Sequence, residues 1–413
     1  MNQPAGGGTR IATLDIVRGV AVMGILAMNV LGFGLPGAAY VNPMAYGAEG
    51  PADIISWTVS FIFIDGKMRG LFSFLFGAST LLVVERAEAA GRSPIFTHYS
   101  RMFWLLLFGL MHFYLVWWGD ILSLYAPIGM IAFLFRRWAA RPLIAIAIGF
   151  LLLQLLFFSQ FAYGLIEGAR AAAAPGAGAE AIQAWVDMQN GLGPYSPADL
   201  QNELALYRGP WLGIFHHQIT DELWDPLSGL YLFGCETLAY MLLGMAALKS
   251  GFLAGAWSDR AYVRAMAIGF GVGIPAYSIL AWLTLKDHFA VDTLVAATIA
   301  AAVPFRPGMI VATAALIILL TRRGGPLVDR IAAAGRAAFT NYLVTSLAMT
   351  TLFYGFGFGL FGHLSRVELW IPVVAMWALM LLWSKPWLAR FRYGPFEWLW
   401  RSLSRFQLQK MRK

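Results

Sequence analysis

Several ionisable side chains lie in apolar stretches of this sequence, and three of them could carry acid–base chemistry. His112 lies in GLMHFYLVWW, Asp120 follows it in a Gly-Asp turn, and Asp15 lies near the start of the first apolar run. Ionisable groups inside membrane segments are costly and are candidates for function, and histidine exchanges protons near neutral pH. We therefore treat His112, Asp15 and Asp120 as candidate catalytic residues, with Asp15, Asp65 or Asp120 as the partner of His112. The alternative is a histidine that serves only in packing.

The first apolar run has one polar helical face. Asp15 and Arg18 are three residues apart, and Asn29 lies eleven residues beyond Arg18, close to three helical turns. This spacing favours the lining of a substrate or cofactor cavity, with Arg18 and Asn29 as binding residues. The alternative is a buried ion pair and an interhelical hydrogen bond that fix packing.

A cationic cluster follows at Asp65-Gly-Lys-Met-Arg69. Lys67 and Arg69 could hold an anionic group such as a phosphate, because arginine offers a planar fork and lysine a point charge. The flanking Gly66 and Gly70 would allow a close approach of the backbone. The alternative is that both cations extend toward an interface between membrane and water.

Three further residues are candidates for substrate binding. Tyr125 lies about one helical turn beyond Asp120, Glu236 lies in the middle of an apolar run, and Asn341 lies in AAGRAAFTNYLVTS. Tyr125 and Asn29 are also candidate donors to an oxyanion.

The sequence gives little indication of metal or redox chemistry. His216, His217 and His288 lack the spacing of a metal-binding motif, so we expect no metal. Cys235 is the single cysteine, which excludes an intramolecular disulfide. Neither a Walker A motif nor a GxSxG motif is present in a fitting context.

The composition indicates an integral membrane protein. Of 413 residues, 59% are apolar and only 13% are charged, and the mean hydropathy is +0.65. A water-soluble fold cannot bury so much apolar surface. The formal charge of +8 comes largely from short basic clusters between apolar runs. These clusters are topology signals, and we expect the lipid bilayer, not nucleic acid, as partner.

The apolar runs predict an all-α transmembrane bundle of about ten spans, since a span needs roughly 20 apolar residues. Two shorter pieces, 53–66 and 290–303, would raise the number to eleven or twelve if they cross. The ten runs centre on 16–36, 70–87, 102–118, 121–135, 141–163, 229–248, 262–285, 306–321, 334–356 and 367–386.

Orientation follows from the positive-inside rule. With ten spans and a cytoplasmic N-terminus, whose segment MNQPAGGGTR has no cleavage site, the arginine-rich loops and the C-terminus are all cytoplasmic. Residues 53–66 are then a half-helix or re-entrant element. The chain divides into a transmembrane half at 10–163 that carries the catalytic core, a helical extracytoplasmic cap at 164–228, a second transmembrane half at 229–405 and a basic cytoplasmic tail at 406–413. In the cap, Ser196 is a plausible helix N-cap.

Five segments resemble the YeiB-like family of bacterial inner-membrane proteins, whose C-terminal half is a domain of unknown function. The resemblance covers about residues 10–405 and implies the bacterial inner membrane as location. The matching segments are RIATLDIVRGVAVMGILAMN, GKMRGLFSFLFG, GLMHFYLVWWGDILSLYAPIG, GRAAFTNYLVTS and YGPFEWLWRSL.

That family is more distantly similar to membrane-embedded acyltransferases of the heparan-glucosaminide N-acetyltransferase type, chiefly in the L-D-x-x-R-G motif at residues 14–19. The similarity implies that acyl-CoA on the cytoplasmic side donates an acyl group to a sugar or another hydroxyl or amine acceptor. The active histidine of the distant enzyme lies in an outer loop, and residues 37–52 contain no histidine, so His112 is its proposed substitute. Lys67 and Arg69 would then hold the phosphates of acyl-CoA, here acetyl-CoA.

Two other functions stay open at this stage. A transporter of a small anionic or proton-coupled solute would use the same intramembrane residues, but the sequence shows no matching pair of broken segments in its two halves, as an inverted repeat would require. A structural or partner-binding membrane subunit is the third hypothesis. The oligomeric state, including a homodimer, is also left open.

Overall fold

The computed structural model describes residues 11–189 and 191–413; Arg10 and the expected cytoplasmic N-terminal segment lie outside the described residues. The described residues form helices and no strands beyond one isolated β-bridge, so the all-α prediction is confirmed. The helices are α1 Ala12–Gly34, α2 Pro51–Phe63, α3 Lys67–Ala89, α4 Pro94–Leu115, α5 Leu122–Ala132, α6 Ala140–Ala173, α7 Ala179–Met188, α8 Pro197–Tyr207, α9 Trp211–Thr220, α10 Asp225–Lys249, α11 Asp259–Lys286, α12 Val291–Val295, α13 Arg306–Thr321, α14 Pro326–Arg336, α15 Ala338–Phe353, α16 Trp370–Arg390 and α17 Pro395–Ser404.

Within the described residues, six helical segments are long and apolar enough to cross a membrane, or seven if one bent pair is counted as a span. The six are α1, α2 with α3, α6, α10, α11 and α16. The remaining expected spans correspond to helices that are shorter or less apolar, such as α5 and α15. The chain is therefore a multi-helix membrane protein.

The segment 53–66 does not form a separate re-entrant element. It belongs to α2, and α2 and α3 together form one candidate span of 39 residues, interrupted only at 64–66. The interruption has a local cause, because Gly66 adopts a left-handed conformation with φ of 67°. At a rise of 1.5 Å per residue, 39 residues extend well beyond a hydrocarbon core of about 30 Å.

A second helix break lies in the other half of the chain. The segment Val291–Ala301, which ends in a π-helix, meets α13 at an angle of 59° across residues 302–305. The two breaks lie against each other, since a Cβ added to Gly66 would lie 2.5 Å from Arg306 Nε. The bent pair in this half and the interruption at 64–66 are therefore in contact within the described residues.

Glycines allow α3 and α10 to pack backbone against backbone. A Cβ added to Gly77 would lie 1.9 Å from the carbonyl oxygen of Met241, and one added to Gly244 would lie 1.7 Å from that of Phe74. Small residues at such contacts are typical of membrane helix pairs. This crossing fixes α3, which carries many of the candidate site residues.

The basic loops gather at one end of the bundle. Lys249 Nζ donates to the carbonyl oxygens of Arg136 and Trp138, and Trp400 Nε1 donates to that of Arg101 at 2.9 Å. These contacts join loops that are distant in sequence, so the arginines converge on a single face. We refer to this end as the basic end.

The segment 164–228 packs over the opposite end. Glu203 accepts a hydrogen bond from the Gly37 amide at 2.7 Å, and the Tyr195 hydroxyl accepts one from the Ala38 amide at 2.8 Å. Ser196 is the N-cap of α8, as predicted, because its hydroxyl accepts from the Asp199 amide. The segment is helical and lies over the residues that follow α1.

Candidate functional site

A large cavity opens at the basic end and is called the basic cavity. It consists of two adjoining volumes of about 450 and about 330 Å³ with shared walls, a size typical of small-molecule sites. Helices α1, α3, α4, α5, α15 and α17 contribute to its lining. Its arginines are Arg18, Arg86, Arg92, Arg101, Arg336, Arg392, Arg401 and Arg405.

Three guanidinium groups of the basic cavity have no acidic partner. Within the described part of the chain, Arg86, Arg101 and Arg401 form no side-chain hydrogen bond and no ion pair. Arg101 stacks on Trp400 at 3.9 Å and Arg401 on Tyr393 at 4.7 Å, measured from Cζ to the ring centroid. Burial lowers the pKa of Arg401, and the neighbouring charges of Arg405 and Arg86 lower it further, against the opposing effects of Tyr393 and Glu397. Such crowded like charges favour a bound anion.

Asp15 and Arg18 lie in the wall of the basic cavity. Arg18 donates to Asp15 at 3.2 Å and to the Ser79 hydroxyl at 2.7 Å. Asn29, on the same helix, instead lines a second cavity. The polar face of α1 therefore contacts two cavities at different depths.

The second cavity, the aromatic cavity, lies toward the end that is covered by 164–228. Its volume is about 400 Å³. Four of its polar residues are Asn29, Asp65, Arg69 and Asp120. Its aromatic residues are Tyr40, Trp57, Phe61, Phe113, Trp117, Trp118, Phe158 and Phe233.

Only a thin layer separates the two cavities. On α3, Arg69 lines the aromatic cavity and Phe72 lines the basic cavity, three residues or about 4.5 Å along the helix. In the first turn of α5, Ser123 lines the aromatic cavity and Tyr125 lines the basic cavity. The Tyr125 hydroxyl bonds the Arg69 carbonyl oxygen at 3.0 Å and the Ser73 hydroxyl at 2.7 Å. We call this layer the septum. Tyr125 forms its hydrogen bonds within the septum, to Arg69 and Ser73.

His112 and Asp120 form a buried pair beside the septum. His112 Nδ1 lies 2.8 Å from Asp120 Oδ1, while Asp120 Oδ2 accepts from the Ser123 amide at 2.7 Å. Asp120, not Asp15 or Asp65, is therefore the partner of His112. In a neutral ring whose Nδ1–H donates to Asp120, Nε2 carries a lone pair. Nε2 is buried and has no hydrogen-bond partner in the described structure.

Tyr342 connects this pair to the basic cavity. Its hydroxyl lies 3.4 Å from Asp120 Oδ1 and accepts from the Ile121 amide at 3.2 Å. Its ring lies 5.2 Å from that of His112, between centroids, and it lines the basic cavity. Asp120 lines the aromatic cavity, whereas His112 lines neither. The pair consequently lies between the cavities, with Asp120 at the aromatic cavity and His112 closed off from both.

Lys67 does not take the position that was expected of a phosphate-binding residue. It is only 1% exposed, donates to the Phe61 carbonyl oxygen, and lies 3.2 Å from the centroid of the Tyr277 ring. The left-handed turn at Gly66 directs the chain so that Lys67 enters the protein interior. It lines neither cavity, which makes its role one of packing at the helix break.

Arg69 and Glu236 form an ion pair beneath the aromatic cavity. Arg69 Nη2 lies 2.8 Å from Glu236 Oε2, Arg306 pairs with Oε1, and the Tyr240 hydroxyl donates to Oε1 at 2.7 Å. Glu236 is fully buried and lines neither cavity. Its contacts hold Arg69 and Arg306 in place, and its role as a binding residue stays a prediction. Arg69 faces the aromatic cavity, not the basic one.

Asn341 is a structural residue. It donates to the Ala334 carbonyl oxygen at 3.0 Å and accepts from Trp383 Nε1 at 2.8 Å. It lines neither cavity. Its amide connects α15 to α14 and α16, and its role as a binding residue stays a prediction. Its neighbour Tyr342 takes the place beside Asp120.

The sequence did not single out Arg86, Arg101 and Arg401 as cavity-lining residues, because basic residues near span ends were interpreted only as topology signals. Their aromatic neighbours in YGPFEWLWRSL were the available clue. No group of three or more His, Cys, Asp or Glu residues that could hold a metal ion occurs in the ranges that the structure covers.

Comparison with known proteins places this chain in a family. Residues 247–407 match the family described as "Protein of unknown function (DUF418)". The chain is 35% identical over 406 residues to "Uncharacterized protein YeiB" of Escherichia coli (strain K12), with 96% of each chain covered. It is 31% identical over 431 residues to "Uncharacterized protein YxaH" of Bacillus subtilis (strain 168), with 100% of this chain and 98% of the relative covered. No solved structure matches it.

The class that these features define is a helical membrane protein with two cavities that meet at a buried histidine–aspartate pair. The chain belongs to the YeiB-like family.

Proposed function

We propose that this protein is a membrane-embedded acyltransferase that passes an acyl group from acyl-CoA to a hydroxyl or amine acceptor such as a sugar. The observation that carries the proposal is the basic cavity, with its three unpaired guanidinium groups at one end and Tyr125 and Tyr342 at the other. Acyl-CoA has the matching form, with phosphates at one end and a thioester at the other.

The donor assignment moves from Lys67 and Arg69 to the arginines of the basic cavity. Arg86, Arg101 and Arg401 would hold the phosphates, since guanidinium forks match phosphate oxygens. The thioester would then lie at the septum. The topology supports this arrangement, because the basic end is the cytoplasmic end under the positive-inside rule, and acyl-CoA is a cytoplasmic donor. Ten spans, cytoplasmic termini, an extracytoplasmic cap and a bacterial inner membrane complete the proposed topology.

The acceptor would enter through the aromatic cavity. His112 Nε2 takes the proton of the acceptor hydroxyl or amine, the acceptor oxygen or nitrogen attacks the thioester carbonyl carbon, and the carbon–sulfur bond breaks. The proton returns from His112 to the leaving thiolate and gives free CoA. Asp120 holds the imidazole in the required tautomer. Because His112 is closed off from both cavities, we infer that the septum opens when both substrates are bound.

The oxyanion of the transfer step requires hydrogen-bond donors. The hydroxyl of Tyr342 is the better candidate, because its bond to Asp120 is long at 3.4 Å, whereas the hydroxyl of Tyr125 bonds Ser73 at 2.7 Å and the Arg69 carbonyl oxygen at 3.0 Å. Asn29 lines the aromatic cavity and could donate from the acceptor side.

Thiol release from acetyl-CoA tests the proposal. Purified protein in detergent is mixed with acetyl-CoA and an extract of bacterial envelope glycans and lipids, and free thiol is followed with a chromogenic disulfide. We expect release that depends on the extract and is lost in His112→Gln. Release at an unchanged rate in His112→Gln, or no release by folded protein that binds acetyl-CoA, would reject the proposal.

A transporter is the second candidate, and the paired helix breaks favour it. Residues 64–66 and 302–305 interrupt helices from the two halves and meet through Gly66 and Arg306. Discontinuous helices of this kind form substrate sites in secondary transporters. Counterflow of a radiolabelled anionic solute into proteoliposomes, with no acyl transfer, would favour this function over the first.

A further inference from the structure

We propose that the aromatic cavity contains an anion site, formed by Arg69 with Arg306 and Arg366, and that its ligand carries a phosphate or carboxylate group. We further identify this ligand with the acceptor of the acyl group, and that identification rests on the proposed acyl transfer. The site itself is independent of that reaction and of the basic cavity.

The ion pair between Arg69 and Glu236 is exposed to the cavity on one side only. The side chain of Arg69 is 23% exposed, whereas that of its partner Glu236 is 0% exposed. The pair therefore shows its cation, not its carboxylate, to a ligand. Phe233 supports the guanidinium from one face at 4.5 Å, which leaves its edge for hydrogen bonding.

One carboxylate also serves two guanidinium groups. Glu236 bonds both Arg69 and Arg306, and both arginines line the cavity. Arg69 Nη1 and Arg306 Nε have no hydrogen-bond partner in the described structure. A buried charged donor without a partner is costly, and an anion at this position would supply the missing acceptor.

Arg366 adds a third cation from the loop before α16. It is 2% exposed, donates to the Ala39 carbonyl oxygen, and its Nε also has no partner in the residues described. Burial lowers its pKa to about 10, so it is charged at neutral pH. Arg366 lines the same cavity near Tyr40.

The carboxylates that line the aromatic cavity determine which anions the site can select. Asp120 is engaged by His112 and the Ser123 amide, and Asp225 is exposed. The Asp65 carboxylate accepts no hydrogen bond and forms no ion pair in the described chain, although the Asp65 amide donates to the Ser60 carbonyl oxygen at 2.8 Å. Its charge opposes an anion but can accept a hydrogen bond from a hydroxyl or ammonium group of the same ligand. A hydroxylated phosphate or carboxylate fits this arrangement.

The test uses a background in which the basic cavity is disabled, Arg86→Gln/Arg401→Gln. Glycerol 3-phosphate and glycerol are titrated into this protein in detergent and followed by calorimetry. We expect saturable binding of the phosphate and none of glycerol. Added Arg69→Gln should weaken binding at least tenfold, and added Asp65→Asn should strengthen it about threefold by removing a like charge. Arg170→Gln, an exposed arginine outside both cavities, is the control.

Each result has one meaning. Loss of a partner for Glu236 could unfold Arg69→Gln, so thermal unfolding is measured for every variant, and Asp65→Asn stands as the independent test. Absence of phosphate binding, or binding that neither Arg69→Gln nor Asp65→Asn changes, would overturn the anion site. Persistent phosphate binding without thiol release from acetyl-CoA would retain the anion site and reject the acyltransferase.

The source of the anion is determined in a second pair of titrations. Binding of soluble glycerol 3-phosphate that is unaffected by the lipid of surrounding nanodiscs indicates a soluble ligand. Competition by phosphatidylglycerol nanodiscs, and not by phosphatidylcholine nanodiscs, indicates a lipid headgroup. Both outcomes support the phosphate class, and an equal loss of binding in both lipids would contradict it.

Discussion

The side chains of His112, on α4, and Asp120, in the tight turn that follows α4, meet at 2.8 Å between Nδ1 and Oδ1. The contact fixes the imidazole beside the septum and leaves Nε2 without a partner in the described structure. A histidine that served only in packing would be expected to use both nitrogens.

Substitution of His112 or Asp120 should lower the rate of acyl transfer without weakening the binding of acetyl-CoA. We expect His112→Gln to lower the rate of acyl transfer by about 10²- to 10⁴-fold, because the general base is lost, with acetyl-CoA affinity within about twofold of wild type. Asp120→Asn should also slow transfer, since it can hold the wrong tautomer. Thiol release and calorimetry on the same preparations provide the two readouts. Equal loss of rate and affinity would indicate a structural role instead.

Lys67 should matter for stability and not for the donor. Lys67→Ala removes the contact with the Tyr277 ring and the hydrogen bond to the Phe61 carbonyl oxygen. We expect a loss of about 2 kcal/mol in unfolding free energy with unchanged acetyl-CoA binding. Thermal unfolding monitored by tryptophan fluorescence is the measurement, with exposed Lys286→Ala as control. Weaker acetyl-CoA binding in well-folded Lys67→Ala would instead support Lys67 as a residue that holds the phosphates of acyl-CoA.

The crossing of α3 and α10 should tolerate no side chain at its glycines. Gly77→Ala would place a Cβ against the Met241 carbonyl oxygen, and we expect a loss of about 2 kcal/mol in stability. Gly149→Ala is the matched control, because nothing lies within 4 Å of a Cβ at that position of α6. Similar melting temperatures of the two variants would argue against this packing.

Much of the architecture follows from hydropathy alone. The apolar runs predict an all-helical membrane bundle, and spacing alone brings Asp15 and Arg18 together. The pairing of His112 with Asp120 was one of three alternatives, and the choice depended on the turn at 116–121. Local spacing succeeds where both residues lie on one helix or across one turn.

The remainder depends on contacts between distant segments. Arg306 reaches Glu236 across 70 residues, and Tyr342 reaches Asp120 across 222. No pattern within a single helix reports such contacts. The arginines of the basic cavity are likewise indistinguishable in sequence from ordinary topology signals, and only the packing of α17 against α4 reveals that they surround a cavity.

Titration of acetyl-CoA into detergent-purified protein tests the central claim most directly, with Arg86→Gln/Arg401→Gln compared with Lys67→Ala/Arg69→Ala. Exposed Arg264→Gln is the control for lost charge. The account predicts saturable binding that weakens at least tenfold in Arg86→Gln/Arg401→Gln and persists in the other two proteins. Failure of wild-type protein to bind acetyl-CoA or longer acyl-CoAs, or binding that survives loss of Arg86 and Arg401, would contradict it.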